Sequence, residues 1–392
     1  MGKRNSGEGG FFHDEKRGIW IYQIRYTDVH GNRKRKKFAA KTKREAMEKG
    51  QDFLGTIKRG VSEDKVNLNV GTWVEEWLTT IKPHIRPRTH EKYASCLRGY
   101  IVPEYKDLPL KGLNPSDLHK HFATLLNCGR ADGAGLSTST VRATRRYFCM
   151  CLDDAVKVGL ITVNPVRATK PPKLTKKEIV VLTKDELENL VEAAKNINHP
   201  YMSVMMPELI ELTAHTGLRQ GEVFGLKWSD VDFTQGAIFV QRSLAHIIGQ
   251  GALFQYPKTK NSRRRVLLLP EDVCSLRKYQ EWQTAYADKL GDQFFHHGLV
   301  FAGVFGNPIS PTNFNRRYFR PLLKICGIDE NFTFHGLHHT HATLLLKQGV
   351  NPKIVQERLG HSSIKVTMDT YSHVLPDMQR QAVDAMEKIF SK

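Results

Sequence analysis

Residues 164–178, NPVRATKPPKLTKKE, constrain the fold of this chain more than any other stretch. Proline lacks a backbone donor and pushes the residue before it into extended backbone, while the lysines have no reason to leave water. A basic, proline-containing segment of this kind reads as a linker, so the chain must fold as separate pieces on either side of it. Length agrees, because 392 residues are too many for one ordinary core. The expected division is 1–65, 66–166, a linker at 167–178, and 179–392.

Each piece has its own periodicity. In GIWIYQIRYTD, Trp20, Tyr22, Ile24 and Tyr26 alternate onto one face of a strand. VHGN is a turn, RKRKKFAA returns as a second strand, and Thr42 with Glu45 forms a capping-box signature opening a helix to about Lys58. A three-stranded sheet plus one helix is expected for 1–65. In the second piece Val70, Trp73, Val74, Trp77, Leu78 and Ile81 recur at helical spacing. Two prolines in KPHIRPRTHEKY then restart a helix, and STSTVRATRRYFCMCLDDAVKVGLI is another. The last piece opens with a helix capped by Thr183 and Glu186. Short strands are expected at AIFVQRS and on either side of 258–265, followed by helices. The fold class is therefore multidomain, mainly α with small antiparallel β-sheets (α+β).

Charge narrows the function. The chain carries 59 Lys+Arg against 40 Asp+Glu, a net +19, and a polyanionic partner is the usual reason to tolerate such self-repulsion. Residues 1–60 alone hold 16 basic and 7 acidic residues, a net of +9. No run is long and apolar enough to span a bilayer, and no signal peptide opens the chain, so no membrane partner is expected. Cys96, Cys128, Cys149, Cys151, Cys274 and Cys326 lack paired metal-ligand spacing and read as reduced cytosolic core residues. A cytoplasmic, nucleoid-associated nucleic-acid binder is the class. Its expected DNA contacts are Arg33, Lys34, Arg35, Lys36 and Lys37 on the basic strand, Arg86 and Arg88 before the second helix, and Arg142, Arg145 and Arg146 near a helix start. The plainer reading of the basic strand is a solvated edge that discourages aggregation.

Three segments of the last piece carry chemistry: TGLRQGEVFGLKWSDVDF, PKTKNSRRRV, and HGLHHTHATLLLKQGVNPKIVQERLGHSSIKVTMDTYSHV. In order, spacing and flanking residues they resemble the signature boxes of tyrosine recombinases, most closely the phage and conjugative-transposon integrases of Gram-positive bacteria. The resemblance is specific in the catalytic piece and architectural in the first two. It implies an arm-site DNA-binding domain, a helical core-site domain and a catalytic domain, in that order.

It also implies roles. Tyr371, ten residues after His361, takes the position of a nucleophile that attacks the scissile phosphate, leaving a 3′-phosphotyrosine and a free 5′-hydroxyl. Arg219 takes the first arginine position, where a planar guanidinium holds the charge that grows on the phosphate oxygens. Glu222 supports it one helical turn on. Lys258, with Lys260 a close second, takes the lysine that protonates the leaving 5′-hydroxyl. His335 is the acid–base partner expected for the tyrosine hydroxyl, and His361 the donor to the phosphate. Asn351 and Pro352 start the intervening helix and Gly360 ends it. No cofactor is implied.

One position departs from the pattern. The family runs His-x-x-Arg-His, and here residue 338 is His. An imidazole cannot replace a bidentate, permanently charged fork, so DNA binding without efficient cleavage is expected. Rescue through protonation or through neighbouring His339 stays open. A metal site built from His335, His338 and His339 is the rival reading, but no carboxylate or cysteine stands at ligand spacing, so no metal is expected. A type IB topoisomerase and a non-catalytic DNA-binding regulator are the other classes. Val374, Leu375, Met378, Ala382, Met386, Ile389 and Phe390 form an apolar stripe after Tyr371. By resemblance it joins subunits head to tail into a homotetramer on double-stranded DNA attachment sites, both core and arm, with an excisionase and DNA-bending proteins as further partners.

Overall fold

The computed structural model describes residues 9–174, 179–247, 249, 251–256, 263–371 and 378–391. They fall into two compact units, Met1–Lys176 and Lys177–Lys392.

The first unit opens with an antiparallel sheet in the order β1 (Gly10–Asp14), β2 (Ile19–Thr27), β3 (Arg33–Ala40). The alternation in β2 buries Tyr22, Ile24 and Tyr26 against helix α1 (Lys43–Lys58), which contributes Ala46, Phe53 and Ile57. At its start Thr42 Oγ1 accepts the Glu45 amide at 3.2 Å, satisfying one of the four orphan donors of a helix N-terminus. Helices α2 (Val70–Ile81), α3 (Pro87–Tyr100), α4 (Val102–Tyr105), α5 (Pro115–Cys128) and α6 (Thr138–Lys157) follow.

The stripe expected in α2 is buried at Val70, Trp73, Val74, Trp77 and Leu78, while Ile81 is half-buried. Each such side chain contributes roughly 1.5–3 kcal/mol by leaving water. Both indoles bury without orphaning a donor: Trp73 donates to the Cys151 carbonyl at 3.0 Å and Trp77 to the Asp154 carboxylate at 2.8 Å. The sheet segment and the helices share this unit. Lys111 reaches Asp52 at 2.6 Å, and Arg59 donates to the Gly159 carbonyl at 3.1 Å.

The second unit begins with α7 (Lys184–Lys195), where Thr183 and Glu186 form a full reciprocal capping box. Next come α8 (Met202–Thr216), α9 (Gln220–Phe224), the strands β4 (Val231–Asp232), β5 (Ala237–Val240), β6 (Ser243–Ile247), β7 (Gly251–Gln255) and β8 (Arg264–Leu267), and α10 (Pro270–Leu290). After these lie α11 (Pro311–Phe314), α12 (Arg320–Ile325), α13 (Gly336–Lys347), α14 (Pro352–Leu359), α15 (Ile364–Tyr371) and α16 (Met378–Phe390).

The sequence anticipated one small sheet here; the described residues form two. Ser243–Ile247 and Gly251–Gln255 pair as a separate hairpin, so β5 pairs with β4 and β8 instead. Helix α8 is apolar nearly all round because it packs against α7, α10 and α13 at once. The whole is mainly helical with small antiparallel sheets, as expected. Among the described residues, no helix is long and apolar enough to cross a membrane.

Candidate active site

Five pieces of backbone converge in the second unit: the start of α9, strand β8, helix α13, the turn after α14, and the end of α15. Two glycines make the convergence possible. Gly217 ends α8 with φ 66°, and a Cβ there would lie 2.5 Å from the His341 ring, so only glycine lets α13 approach. Gly360 ends α14 with φ 65° in the left-handed region, as the sequence suggested. The other end of α14 is also as expected, with Asn351 Oδ1 accepting the Lys353 amide at 2.8 Å. This short, well-capped helix delivers His361 to the site.

Arg219 and Glu222 form the floor. Glu222 accepts the Arg219 amide at 3.0 Å and its Nη1 at 3.0 Å, while Arg219 Nη2 donates to the Gly360 carbonyl at 3.2 Å. The Arg219 side chain keeps 31% of its surface open, so its remaining donors face outward. Sequence reasoning missed the third member. Arg264, 6% exposed, clamps Glu222 with two bonds of 3.1 and 2.8 Å and donates Nε to the Arg358 carbonyl at 2.6 Å. Burial pushes the Glu222 pKa up, but the bonds from Arg264 and the charge of Arg219 outweigh it and hold the group below its usual value. Arg264 stood in the basic run RRRV, and only the tertiary fold separates it from its neighbours.

The imidazoles form the wall. Burial, with Arg219 nearby, holds His338 well below its ordinary pKa, and holds His361 at about 4. Both are therefore neutral near pH 7, and their partners fix the tautomers. His338 Nδ1 lies 2.5 Å from the Gly217 carbonyl, which can only accept, so Nδ1 carries the proton and Nε2 a lone pair. His361 Nε2 lies 3.3 Å from that lone pair and must donate to it. His361 Nδ1 then accepts from the Thr367 hydroxyl at 2.8 Å. The His338 ring also stacks on His335, with centroids 5.0 Å apart. Among the described residues, no three His, Cys, Asp or Glu side chains are placed to hold a metal ion.

Tyr371 ends α15, and its ring is buried with Ala342, Leu346, Val355 and Leu359. Its hydroxyl meets His339 Nδ1 at 2.6 Å. The sequence had given that contact to His335; the fold gives it to His339, one helical turn further on. His335 instead sets its ring edge-on to His339, with centroids 4.8 Å apart, stays exposed, and hydrogen-bonds nothing among the described residues. Burial pushes the phenol pKa well above its usual value, with Arg219 opposing.

The remaining expected site residues divide. Lys258 and Lys260 lie outside the described residues, as do Val374 and Leu375. On α16, Val383, Met386, Ile389 and Phe390 are exposed. Strand alternation sends Arg33, Arg35 and Lys37 to the open face of the first sheet, where Arg25, missed from the sequence, pairs with Arg35. Lys34 and Lys36 point to the α1 side instead: Lys34 pairs with Asp28 at 3.1 Å and Lys36 with Glu63 at 2.7 Å. Arg86 is half-buried at the start of α3, and exposed Arg88 faces Glu91 at 3.4 Å. Of the three arginines expected near the start of α6, Arg142 and Arg145 are half-buried. Arg142 donates to the Pro172 carbonyl at 2.5 Å, and Arg145 holds Val166 and Thr169 through bonds of 2.5 to 3.0 Å. Arg146 alone of the three is exposed, its guanidinium over the Tyr147 ring.

Residues 180–378 match the model of the phage integrase family, and residues 69–126 that of the phage integrase N-terminal SAM-like domain. The chain is 29% identical to a XerC-like tyrosine recombinase of Caldanaerobacter subterraneus subsp. tengcongensis, covering 96% of this chain and 98% of the relative. Its fold is similar to that of the Tn1549 transposon integrase solved with a circular intermediate DNA, with TM-score 0.66, 21% identity, and coverage of 80% of this chain and 99% of that one. It is also similar to lambda integrase solved as a tetramer bound to a Holliday junction, with TM-score 0.55, 21% identity, and coverage of 90% of this chain and 95% of that one. The chain belongs to the phage integrase family, the tyrosine recombinases, which cleave and rejoin DNA at specific sites.

Proposed function

We propose that Tyr371 is the nucleophile of a site-specific recombinase that integrates and excises a mobile element, and that His338 leaves this chain slow at cleavage. The observation that carries the reading is the position of the Tyr371 hydroxyl. It meets the His339 imidazole at 2.6 Å, within the electrostatic reach of a half-open Arg219. Attack of Oη on the scissile phosphate gives a 3′-phosphotyrosine and a 5′-hydroxyl, and the covalent bond conserves the energy needed to rejoin the strand. Arg219 holds the growing charge on the phosphate oxygens. His335 keeps its ring nitrogens free for the same phosphate, and a lysine, Lys258 before Lys260, protonates the leaving oxygen.

His338 explains the predicted slowness twice. It lacks the fork of a guanidinium, and it takes up the Nε2–H that His361 was expected to offer the phosphate. The loss of one such donor costs about 10²–10³ in rate.

Residues 1–65 are assigned to arm sites, 66–166 to core sites and 179–392 to catalysis, all on double-stranded DNA. The exposed apolar residues of α16 suit a neighbouring subunit in a homotetramer. An excisionase and DNA-bending proteins complete the set of partners, and the setting is the cytoplasmic nucleoid. A DNA-binding regulator without catalysis is the second reading, favoured by His338 alone. Covalent-adduct formation on a candidate attachment site, with Tyr371→Phe as control, separates the two. Adduct formation undiminished by chelator is expected throughout.

A further inference from the structure

We propose that His339 is a catalytic residue: it is the base that takes the proton from the Tyr371 hydroxyl. The proposal rests on the reading of Tyr371 as nucleophile and extends it to the group that activates it. A phenol buried among aliphatic side chains is a poor nucleophile until its proton has somewhere to go, and a base must touch the proton it removes. His339 Nδ1 stands 2.6 Å from Oη, and among the described residues it is the only hydrogen-bond partner of that hydroxyl.

The direction of the bond follows from satisfaction. With Nδ1 protonated, the buried phenolic hydrogen would have no acceptor; with Nδ1 bare, the hydroxyl donates and nothing is orphaned. The other imidazoles are otherwise engaged. His361 is held between Thr367 and His338, His338 between Gly217 and His361, and His341 between the Ala214 carbonyl and Arg358. His335, one turn before His339 on the same helix face, sets its ring edge against the His339 ring and buttresses it.

In cleavage the Oη–H proton passes to Nδ1 and an Oη lone pair forms the bond to phosphorus. The P–O5′ bond breaks, and the departing oxygen takes a proton from a lysine ammonium, the role expected of Lys258. In rejoining, the 5′-hydroxyl returns its proton to that amine as it attacks phosphorus, and the leaving phenolate recovers its own from the imidazolium. The base and the acid are thus different residues.

The test uses the full chain carrying His338→Arg, with His339→Asn and His339→Ala added singly. Single-turnover adduct formation is measured on a suicide DNA substrate with either oxygen or sulfur at the bridging 5′ position, alongside DNA affinity and thermal melting. Asparagine can still hydrogen-bond the phenol but cannot take its proton. Both variants are expected to bind DNA as the parent does and to form adduct at least ~10²-fold more slowly, and sulfur should not restore the rate. His339→Asn should melt as the parent does, and His339→Ala lower because it orphans the phenolic hydrogen. Undiminished cleavage by His339→Asn, or rescue by the sulfur leaving group, would overturn the proposal alone. A His338→Arg parent that forms no adduct would overturn the nucleophile assignment and this proposal with it.

Discussion

His338 and His361 meet through their Nε2 atoms at 3.3 Å, and the tautomer that the Gly217 carbonyl imposes on His338 makes His361 the donor. A residue that would serve the phosphate is therefore spent inside the protein. Replacing His338 with Ala removes the acceptor without supplying a guanidinium. Cleavage by His338→Ala is expected to exceed that of the unaltered chain by about tenfold, the worth of one net hydrogen bond, and to stay below that of His338→Arg. A His338→Ala chain slower than the unaltered one, measured as single-turnover adduct, contradicts the sequestered-donor account.

Glu222 and Arg264 are buried and Arg219 is half-buried beside them, so removing the shared anion leaves two cations without their carboxylate. Glu222→Ala is expected to destabilise the second unit by about 3–5 kcal/mol, the usual cost of breaking a buried ion pair from one side. Urea unfolding of the full chain measures this, and a loss near the value for an exposed pair would show that Glu222 is not the hub.

Besides His338, three histidines of the second unit lie far below their ordinary 6.5. Burial is the first cause in each, aided by His335 for His339, Arg358 for His341 and Arg219 for His361, and each is held at about 4. The unfolded chain therefore binds more protons than the folded one between about pH 4 and 6.5, so stability is lost as pH falls through that window. Calorimetry near pH 5 in buffers of different ionisation heat should record net proton uptake on unfolding. Zero uptake would mean that these rings are solvated.

The arginines of the first unit separate into two jobs. Arg35→Ala, on the open sheet face, is expected to weaken DNA binding and lower the salt slope of log K by about one ion. Arg145→Ala, whose guanidinium ties the chain at Val166 and Thr169, is expected to lower the melting temperature. A reversed pattern in gel-shift titrations and thermal melts would overturn the assignment.

What was legible in the sequence was what neighbours along the chain decide. The α2 stripe, the Thr183–Glu186 box and the Asn351-to-Gly360 helix depend on residues within a turn or two, and each appears where expected. The three signature boxes were legible too, and with them His338 as the departure. What the sequence did not show depended on distant partners. His335 and His339 are one helical turn apart on the same face, and only the placement of α15 decides which touches Tyr371. Arg145 reads as surface charge until the chain returns at 166–172 to cover it. Lys34 and Lys36 belong to the basic run by composition, but strand alternation turns them toward Asp28 and Glu63.

The central claim is that Tyr371 is a working nucleophile in a site handicapped at position 338. Its most direct test is the rate of covalent protein–DNA adduct formation on one suicide attachment-site substrate by the unaltered chain, by His338→Arg, and by His338→Arg with Tyr371→Phe. The account predicts slow adduct for the first, a rise of about 10²-fold or more for the second, and none for the third. Equal rates for the first two, or adduct that survives Tyr371→Phe, would contradict it.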